Sequence, residues 1–286
     1  MSRLLFLSCF IILLSACNNS TVYFEAKDFT AEGLFTPGIE GPATDTKGNI
    51  YAVNFEQQGT IGNVTPNGEA SLFVQLPEGS IGNSIRFNSM GDMLIADYTK
   101  HNILKVNMHT KEVSVFAHEE NMNQPNDIAI TKDDYLYASD PNWADSTGNL
   151  WLITPHGEVI LLEADMGTTN GIEVSPDDKR LYVNESRQLN LWVYDIAEDK
   201  SISNKRLFYK FEGYGLDGMA CDKNGNLYVT RHEKGTIVIL SPDGELLREI
   251  KVPGTKPSNI TFYKNTTYVT LQDRGCIATF EYDPNI

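Results

Sequence analysis

The sequence predicts an all-β protein: a six-bladed β-propeller of four-stranded blades, its ring closed by an N-terminal strand. Three observations carry this. A unit recurs six times, opening at Glu40, Asn83, Asn126, Asn170, Asp217 and Asn259 with spacings of 43, 43, 44, 47 and 42 residues, a period typical of propellers and other repeat folds. Each unit is a series of short apolar-alternating runs parted by turn residues, and no stretch has a convincing helical period. The sixth unit has room for only three strands before the chain ends, so its fourth must come from ahead of the first unit, between Thr21 and Phe35.

Within a unit the order is constant. A polar opening residue precedes a short apolar strand, a turn, and a second strand carrying a Tyr or Leu. The turns are Thr46-Lys47-Gly48-Asn49, Ser89-Met90-Gly91-Asp92, Lys132-Asp133-Asp134, Pro176-Asp177-Asp178, Lys223-Asn224-Gly225-Asn226 and Lys264-Asn265, rich in the residue types that accept turn geometry. Two further strands follow. In the third unit these are Leu150-Trp151-Leu152-Ile153 and Val159-Ile160-Leu161-Leu162, separated by Thr154-Pro155-His156-Gly157. A closing N-terminal strand would also protect an edge open to pairing with other chains.

The chain has 286 residues and a formal charge of −15. That balance argues against nucleic acid, whose phosphates demand clustered Lys and Arg; cations and small uncharged ligands fit better. Of four cysteines, Cys9 and Cys17 fall near the N-terminus, and Cys221 and Cys276 alone do not make a disulfide framework; buried free thiols are expected. The chain has no G-x-S-x-G elbow, H-E-x-x-H motif or Walker loop.

Because each unit opens at the head of its innermost strand, the six opening residues arrive at one rim of the central channel. They offer two carboxylates and four amides, a donor set suited to a hard cation such as Ca²⁺, which takes about 6–8 oxygen ligands. Asn-Gly, Asp-Gly and Asn-Asp are equally turn dipeptides, so the repeat alone leaves metal site and turn chemistry both open. A second register, three residues beyond the aromatic or Leu of each second strand, comprises Asn54, Asp97, Asp140, Glu185, Arg231 and Leu271. These residues are expected to return to the same rim as ligand-orienting or substrate-gripping groups. Among the five histidines only His232, beside Arg231, falls where this geometry puts chemistry, and Trp143 is placed at the mouth.

The segments Ile39-Glu40-Gly41-Pro42, Pro125-Asn126-Asp127, Thr169-Asn170-Gly171-Ile172, Leu216-Asp217-Gly218-Met219 and Lys256-Pro257-Ser258-Asn259 resemble, in order and at blade spacing, those of the senescence marker protein and gluconolactonase (LRE-like) family. The resemblance covers about residues 30 to 282. It implies metal ligation by Glu40, Asn126, Asn170 and Asp217, a divalent ion that is commonly calcium, with Zn²⁺, Mg²⁺ or Mn²⁺ as alternatives, and hydrolysis of lactones or some phosphoesters. Asn83, Gln124, Asp140, Glu185, Arg231 and Asn259 are then the expected substrate or supporting residues. One departure bears on specificity: sugar-lactone members of the family often carry an Arg where this chain has Gln124.

The mechanism expected from this set is attack of water on a lactone carbonyl polarised by the ion, with Asp217 or His232 as general base. Two alternatives stand beside it: a non-catalytic anchored propeller with a structural ion, and phosphotriesterase-like hydrolysis at the same centre. The expected partner is a small lactone or ester.

The first residues read as an export signal. Arg3 precedes an apolar run from Leu4 to Leu14, too short for a spanning helix of about 20 residues, and Leu14-Ser15-Ala16-Cys17 resembles a bacterial lipobox. Residues 1–16 are thus expected to be a lipoprotein signal, 17–29 an anchor linker and 30–286 the propeller, in a membrane-anchored exported lipoprotein. Stable anchoring takes two lipid chains. Cys17→Ser should therefore release the protein from membranes, as measured by fractionation and by the mass of the mature N-terminus; unchanged partitioning would refute the anchor.

Overall fold

Every one of the six turns between first and second strands holds one residue in the left-handed region: Gly48 (φ 87°), Gly91 (84°), Asp134 (67°), Asp178 (59°), Gly225 (84°) and Lys264 (54°). Gly adopts this conformation without a Cβ clash, and Asp tolerates it better than most residues. Side chains brace the same turns. Asp45 accepts hydrogen bonds from the Lys47 and Asn49 amides, and Asp222 does the same for Asn224 and Asn226.

The computed structural model describes residues 26–281; the signal segment and Cys17 lie outside them. The described residues form 24 strands. After β1 (Lys27–Asp28), blade 1 contains β2 (Ala43–Thr44), β3 (Ile50–Val53), β4 (Thr60–Val64) and β5 (Ala70–Gln75). Blade 2 contains β6 (Gly82–Phe87), β7 (Met93–Asp97), β8 (Asn102–Val106) and β9 (Val113–His118). Blade 3 contains β10 (Ile128–Ile130), β11 (Leu136–Asn142), β12 (Thr147–Ile153) and β13 (Val159–Met166). Blade 4 contains β14 (Thr169–Val174), β15 (Arg180–Glu185), β16 (Asn190–Ile196) and β17 (Ile202–Lys210). Blade 5 contains β18 (Gly215–Cys221), β19 (Leu227–His232), β20 (Thr236–Leu240) and β21 (Leu246–Lys251), and blade 6 contains β22 (Pro257–Tyr263), β23 (Thr266–Leu271) and β24 (Cys276–Glu281). Each blade is an antiparallel four-stranded sheet, and β1 is the outermost strand of the sixth, with Lys27 opposite Thr279 and Asp28 opposite Ala278. The fold is a six-bladed β-propeller.

The second strand of each blade is sandwiched between neighbouring blades, which explains why β3, β7 and β19 are buried almost throughout rather than alternating. Tyr51, Val53 and Ile61 of blade 1 pack against Ile85, Met93 and Ile95 of blade 2, and the other interfaces repeat the arrangement. Beyond β1, the N-terminal segment is held to the ring by Phe35, which bridges to Phe55 and stacks edge-on with it at 5.3 Å, and by Arg274, paired with Asp28 and Glu32. Cys276 is buried, whereas Cys221, expected to be buried, is partly exposed; both thiols are free. An end-of-strand position explains Cys221: it closes β18 just before the turn at Asp222.

The innermost strands are bulged where the opening residues sit. Pairing slips between Gly82 and Ser84, between Thr169 and Ile172, between Leu216 and Met219, and between Pro257 and Ile260. A bulge re-aims a side chain and bends its strand. Polar residues from the second strands hold several of these irregular segments: Ser139 Oγ accepts from the Asp127 amide, Asn184 Nδ2 donates to the Asp217 carbonyl at 2.5 Å, and Thr230 Oγ1 donates to the Gly218 carbonyl. Close approach of adjacent blades then leaves no room for a Cβ at Gly171, where one would lie 2.3 Å from the Asp217 carbonyl oxygen and 2.6 Å from Asn184 Nδ2. Gly171→Ala should accordingly cost about 1–3 kcal/mol, the usual range for overpacking. Gly215→Ala, whose Cβ would meet nothing closer than His232 Cβ and Ser186 Oγ at 3.6 Å, should cost distinctly less; denaturant titration of both variants measures the difference.

Candidate active site

The bulges and blade entries aim five of the six opening residues into one cavity of about 290 Å³ at the mouth of the channel. Glu40, Asn83, Asn126, Asn170 and Asp217 line it, together with Tyr98, Trp143, Ser186, His232 and Gln272. Glu40, Asn126 and Asn170 are buried, while Asn83 and Asp217 are partly exposed. Asn170 donates its amide hydrogens to Asp217 Oδ1 at 2.9 Å and to the Leu216 carbonyl at 3.3 Å, which leaves its own Oδ1 uncommitted. Asn83 Nδ2 donates to the Asn126 carbonyl at 3.1 Å, and Glu40 Oε2 accepts from the Gly41 amide at 2.9 Å.

The two carboxylates are held in an unfavourable state. Burial pushes the Glu40 carboxyl well above its ordinary range, and the charges of Asp217 and Asp127 add to the effect. Burial likewise raises Asp217, against the hydrogen bond from Asn170. None of the ten described residues lining the cavity is a Lys or Arg. The protein therefore presents one buried carboxylate, one partly exposed carboxylate and several amide oxygens with no lining counter-charge. Among the described residues no three His, Cys, Asp or Glu gather where they could hold a metal ion by themselves, so ligation here would need the amide oxygens beside the two carboxylates. This donor set fits a hard divalent cation, whose charge would balance both carboxylates.

His232 lies on the wall, its Nε2 3.1 Å from Gln272 Oε1. Since that oxygen only accepts, Nε2 carries the hydrogen and Nδ1 is the basic nitrogen. Burial lowers the imidazole pKa below its ordinary value; the Gln272 hydrogen bond opposes this and nearby Lys256 adds to it. The ring is therefore neutral near pH 7.

The second register and two other expected residues, Gln124 and Asn259, do not line the cavity. Asp140 is buried and accepts from the Asn123 and Gln124 amides, each at 2.7 Å, and from Trp151 Nε1 at 2.9 Å. Glu185 accepts from the Gly167 amide and from Asn190 Nδ2. Arg231 donates to the Gly213 carbonyl and stacks over Phe211 at 4.3 Å. Asn54 and Asp97 make the same kind of contact, to the Gly38 carbonyl and to the Ile81 amide and Ser80 hydroxyl. Each of these residues latches the entry loop of its own blade instead of touching the cavity. The wall residues Tyr98, Ser186, His232 and Gln272 are one position further along, and in extended chain a single step reverses the face. Counting four residues past the aromatic or Leu would have found them.

Asn259 is another. It lies beneath the cavity floor, its Nδ2 3.3 Å from Asp127 Oδ2 and its Oδ1 fixed by the Ile260 amide. Gln124 is not among the lining residues, but its side chain hydrogen-bonds the phenol of Tyr98, which is.

Deeper in the channel a second charged group escaped sequence reasoning. Arg86 lies 3.7 Å from Asp127 and 3.5 Å from Glu173, and Ser84 Oγ donates to Asp127. Arg86 and Glu173 each stand three residues past an opening residue, a register otherwise filled by Ala43, Ala129, Ala220 and Phe262. Burial raises the Glu173 carboxyl to about 7, against the opposing pull of Arg86.

With this geometry in hand the chain can be compared with known proteins. Its sequence matches the SMP-30/Gluconolactonase/LRE-like region family over residues 22–273. The chain belongs to that family. Relatives in sequence include a gluconolactonase of Zymomonas mobilis, 28% identical over 259 residues and covering 78% of this chain and 72% of that one. A diisopropyl-fluorophosphatase of Loligo vulgaris is 26% identical over 294 residues, covering 89% and 94%. Among solved structures, a gluconolactonase from Xanthomonas campestris superposes with a TM-score of 0.76 at 18% identity, covering 90% of each chain. A calcium-binding protein, regucalcin, from Agrobacterium tumefaciens gives 0.77 at 18% identity, covering 91% and 96%. At such identities the superpositions show the shared propeller, and the family assignment rests on the sequence match.

The raised Glu173 carboxyl has a measurable consequence. A carboxyl whose folded pKa lies above its unfolded value stabilises the fold fully below the unfolded pKa, near 4.5, and loses that contribution as pH rises through about 7. Melting of metal-free protein against pH should thus show wild type losing stability relative to Glu173→Gln between pH ~5 and ~8, on the order of 2–3 kcal/mol. Parallel curves would mean that Arg86 keeps Glu173 ionised throughout.

Proposed function

We propose that this chain is a divalent-metal-dependent hydrolase that opens lactone rings, exported and held at a membrane by lipid on Cys17. The observation that carries the catalytic part is the pairing of two carboxylates, Glu40 buried and Asp217 partly exposed, with amide oxygens and no lining cation in a cavity whose wall bears a neutral histidine. The gluconolactonase relative supports the substrate class, and the all-oxygen donor set of carboxylates and amides supports Ca²⁺ as the ion.

Glu40, Asn126, Asn170 and Asp217 would hold the ion, which when bound supplies Lewis-acid polarisation of the substrate carbonyl. The chain's own residues do the rest. Asn170 fixes Asp217 through Oδ1, which leaves Oδ2 to accept a proton from the attacking water. His232, its tautomer set by Gln272, is the second available acceptor on the wall. Asn184 holds the Asp217 backbone from behind, so that the carboxylate is positioned without rearrangement at the moment of reaction.

A second reading has a specific observation in its favour: the diisopropyl-fluorophosphatase relative matches 89% of this chain, so phosphoesters with good leaving groups belong in the same assay panel. A non-catalytic anchored propeller would bind the ion and turn over neither class.

At saturating Ca²⁺, with occupancy measured by elemental analysis, Asp217→Asn should lower kcat for lactones by ~10²–10⁴, the usual worth of a positioned general base. Asp97→Asn, which alters the latch on Ser80, Ile81, Thr99 and Asn102 outside the cavity, should lower the melting temperature and leave kcat nearly intact. Near-normal turnover in the occupied Asp217→Asn protein would transfer the role of base to His232. Wild-type protein with bound metal and no turnover of either class would refute the hydrolase.

A further inference from the structure

The wall of the cavity says which substrates it takes. Trp143 sits on the loop between β11 and β12, half-buried at the mouth. That loop is braced internally, by the Asp145 amide donating to Asn142 Oδ1, and is clamped from the next blade. Arg187 Nη1 donates to the Trp143 carbonyl at 2.7 Å and to Ser146 Oγ at 2.6 Å, and its guanidinium lies 5.6 Å from the Trp143 ring centroid. Gln188 Nε2 adds a hydrogen bond to the Ser146 carbonyl. An indole carried on a clamped loop and backed by a guanidinium is a preorganised face that binds a flat ring with little loss of freedom.

Charge points the same way. A divalent ion cancels Glu40 and Asp217, and the remaining lining side chains are amides, hydroxyls, an indole and a neutral imidazole. An anionic substituent on a substrate would lose its hydration without gaining a cationic partner. Of the nearby cations, Arg187 is committed to the Trp143 loop, and Lys256 is not a lining residue and reaches His232 together with the opposing charges of Glu233 and Asp273.

We infer that the cavity selects uncharged lactones bearing a flat ring over carboxylated or phosphorylated ones, with Trp143 as the stacking wall and Arg187 as the residue that positions it. This rests on the lactonase reading above for its chemistry, but the recognition can be tested without turnover. The probe is 3,4-dihydroquinolin-2-one, the lactam counterpart of the aryl lactone dihydrocoumarin, titrated calorimetrically into Ca²⁺-loaded protein beside its 6-carboxylate.

The expected result is that the carboxylate binds at least roughly tenfold more weakly than the parent lactam. Trp143→Ala should weaken lactam binding roughly 3- to 10-fold, with Trp143→Phe retaining most of it and Arg187→Met falling between. The Kd for Ca²⁺ should stay at the wild-type value in every variant, and the melting temperature should stay there in Trp143→Phe and fall slightly in Arg187→Met, which loses two hydrogen bonds to the loop; an intact ion site separates a lost wall from a damaged fold. Equal binding of the lactam and its carboxylate would overturn the charge selection, and unchanged lactam affinity in Trp143→Ala would overturn the stacking wall. If the lactam binds as expected yet dihydrocoumarin is not hydrolysed, the recognition stands and the lactonase reading fails.

Discussion

The repulsion between Glu40 and Asp217 at the centre of the ring is the interaction around which the rest is arranged. Bringing two carboxylates out of water costs several kcal/mol each after relaxation, and only a rigid surround keeps them from moving apart or becoming solvated. The surround is extensive. Bulges direct the side chains, Asn184, Ser139 and Thr230 grip the irregular backbone, and Gly171 lets the blades close on one another. The apolar clusters between blades anchor these polar devices, because a shift of any one blade would have to break two packed interfaces.

The same channel handles like charges in two ways. Below the floor, Asp127 and Glu173 are answered from within by Arg86. At the mouth no such residue is supplied, and the deficit is left open to a solute cation. Asn259 joins the two levels, bonding Asp127 below and contributing to the charged form of Glu40 above. A permanent guanidinium suits a group whose only task is to stay in place. An exchangeable ion suits a site that must also receive a substrate oxygen.

Much of this was legible in the sequence, for identifiable reasons. The repeat spacing located the six opening residues because a propeller delivers equivalent positions to equivalent places, and the turn tips followed because few residue types accept a left-handed backbone. The second register was read one residue short. Asp97, Glu185 and Arg231 are conspicuous by charge, whereas their neighbours Tyr98, Ser186 and His232 face the cavity, and charge alone does not reveal which side of a strand a residue takes. Asn259 looked equivalent to Asn126 and Asn170, yet it lies beneath the floor. Arg86 and Glu173 were missed because four of the six residues in their register are uncharged, so the register did not announce itself as functional.

The joining of β1 to β24 bears on how the molecule is made. Lys27 pairs with Thr279, so one of the first segments to leave the ribosome must wait for one of the last. The earlier blades consist of local hairpins that can form as they emerge, whereas the sixth is a contact between the extremes of the chain, the slowest kind to establish. Until it forms, β24 has an open edge, and the interface between blades 6 and 1 lacks the Phe35 and Phe55 pair. A chain crossing a membrane in extended form would make this contact only after translocation, so the ring would close, and its centre take shape, at the destination rather than at the site of synthesis.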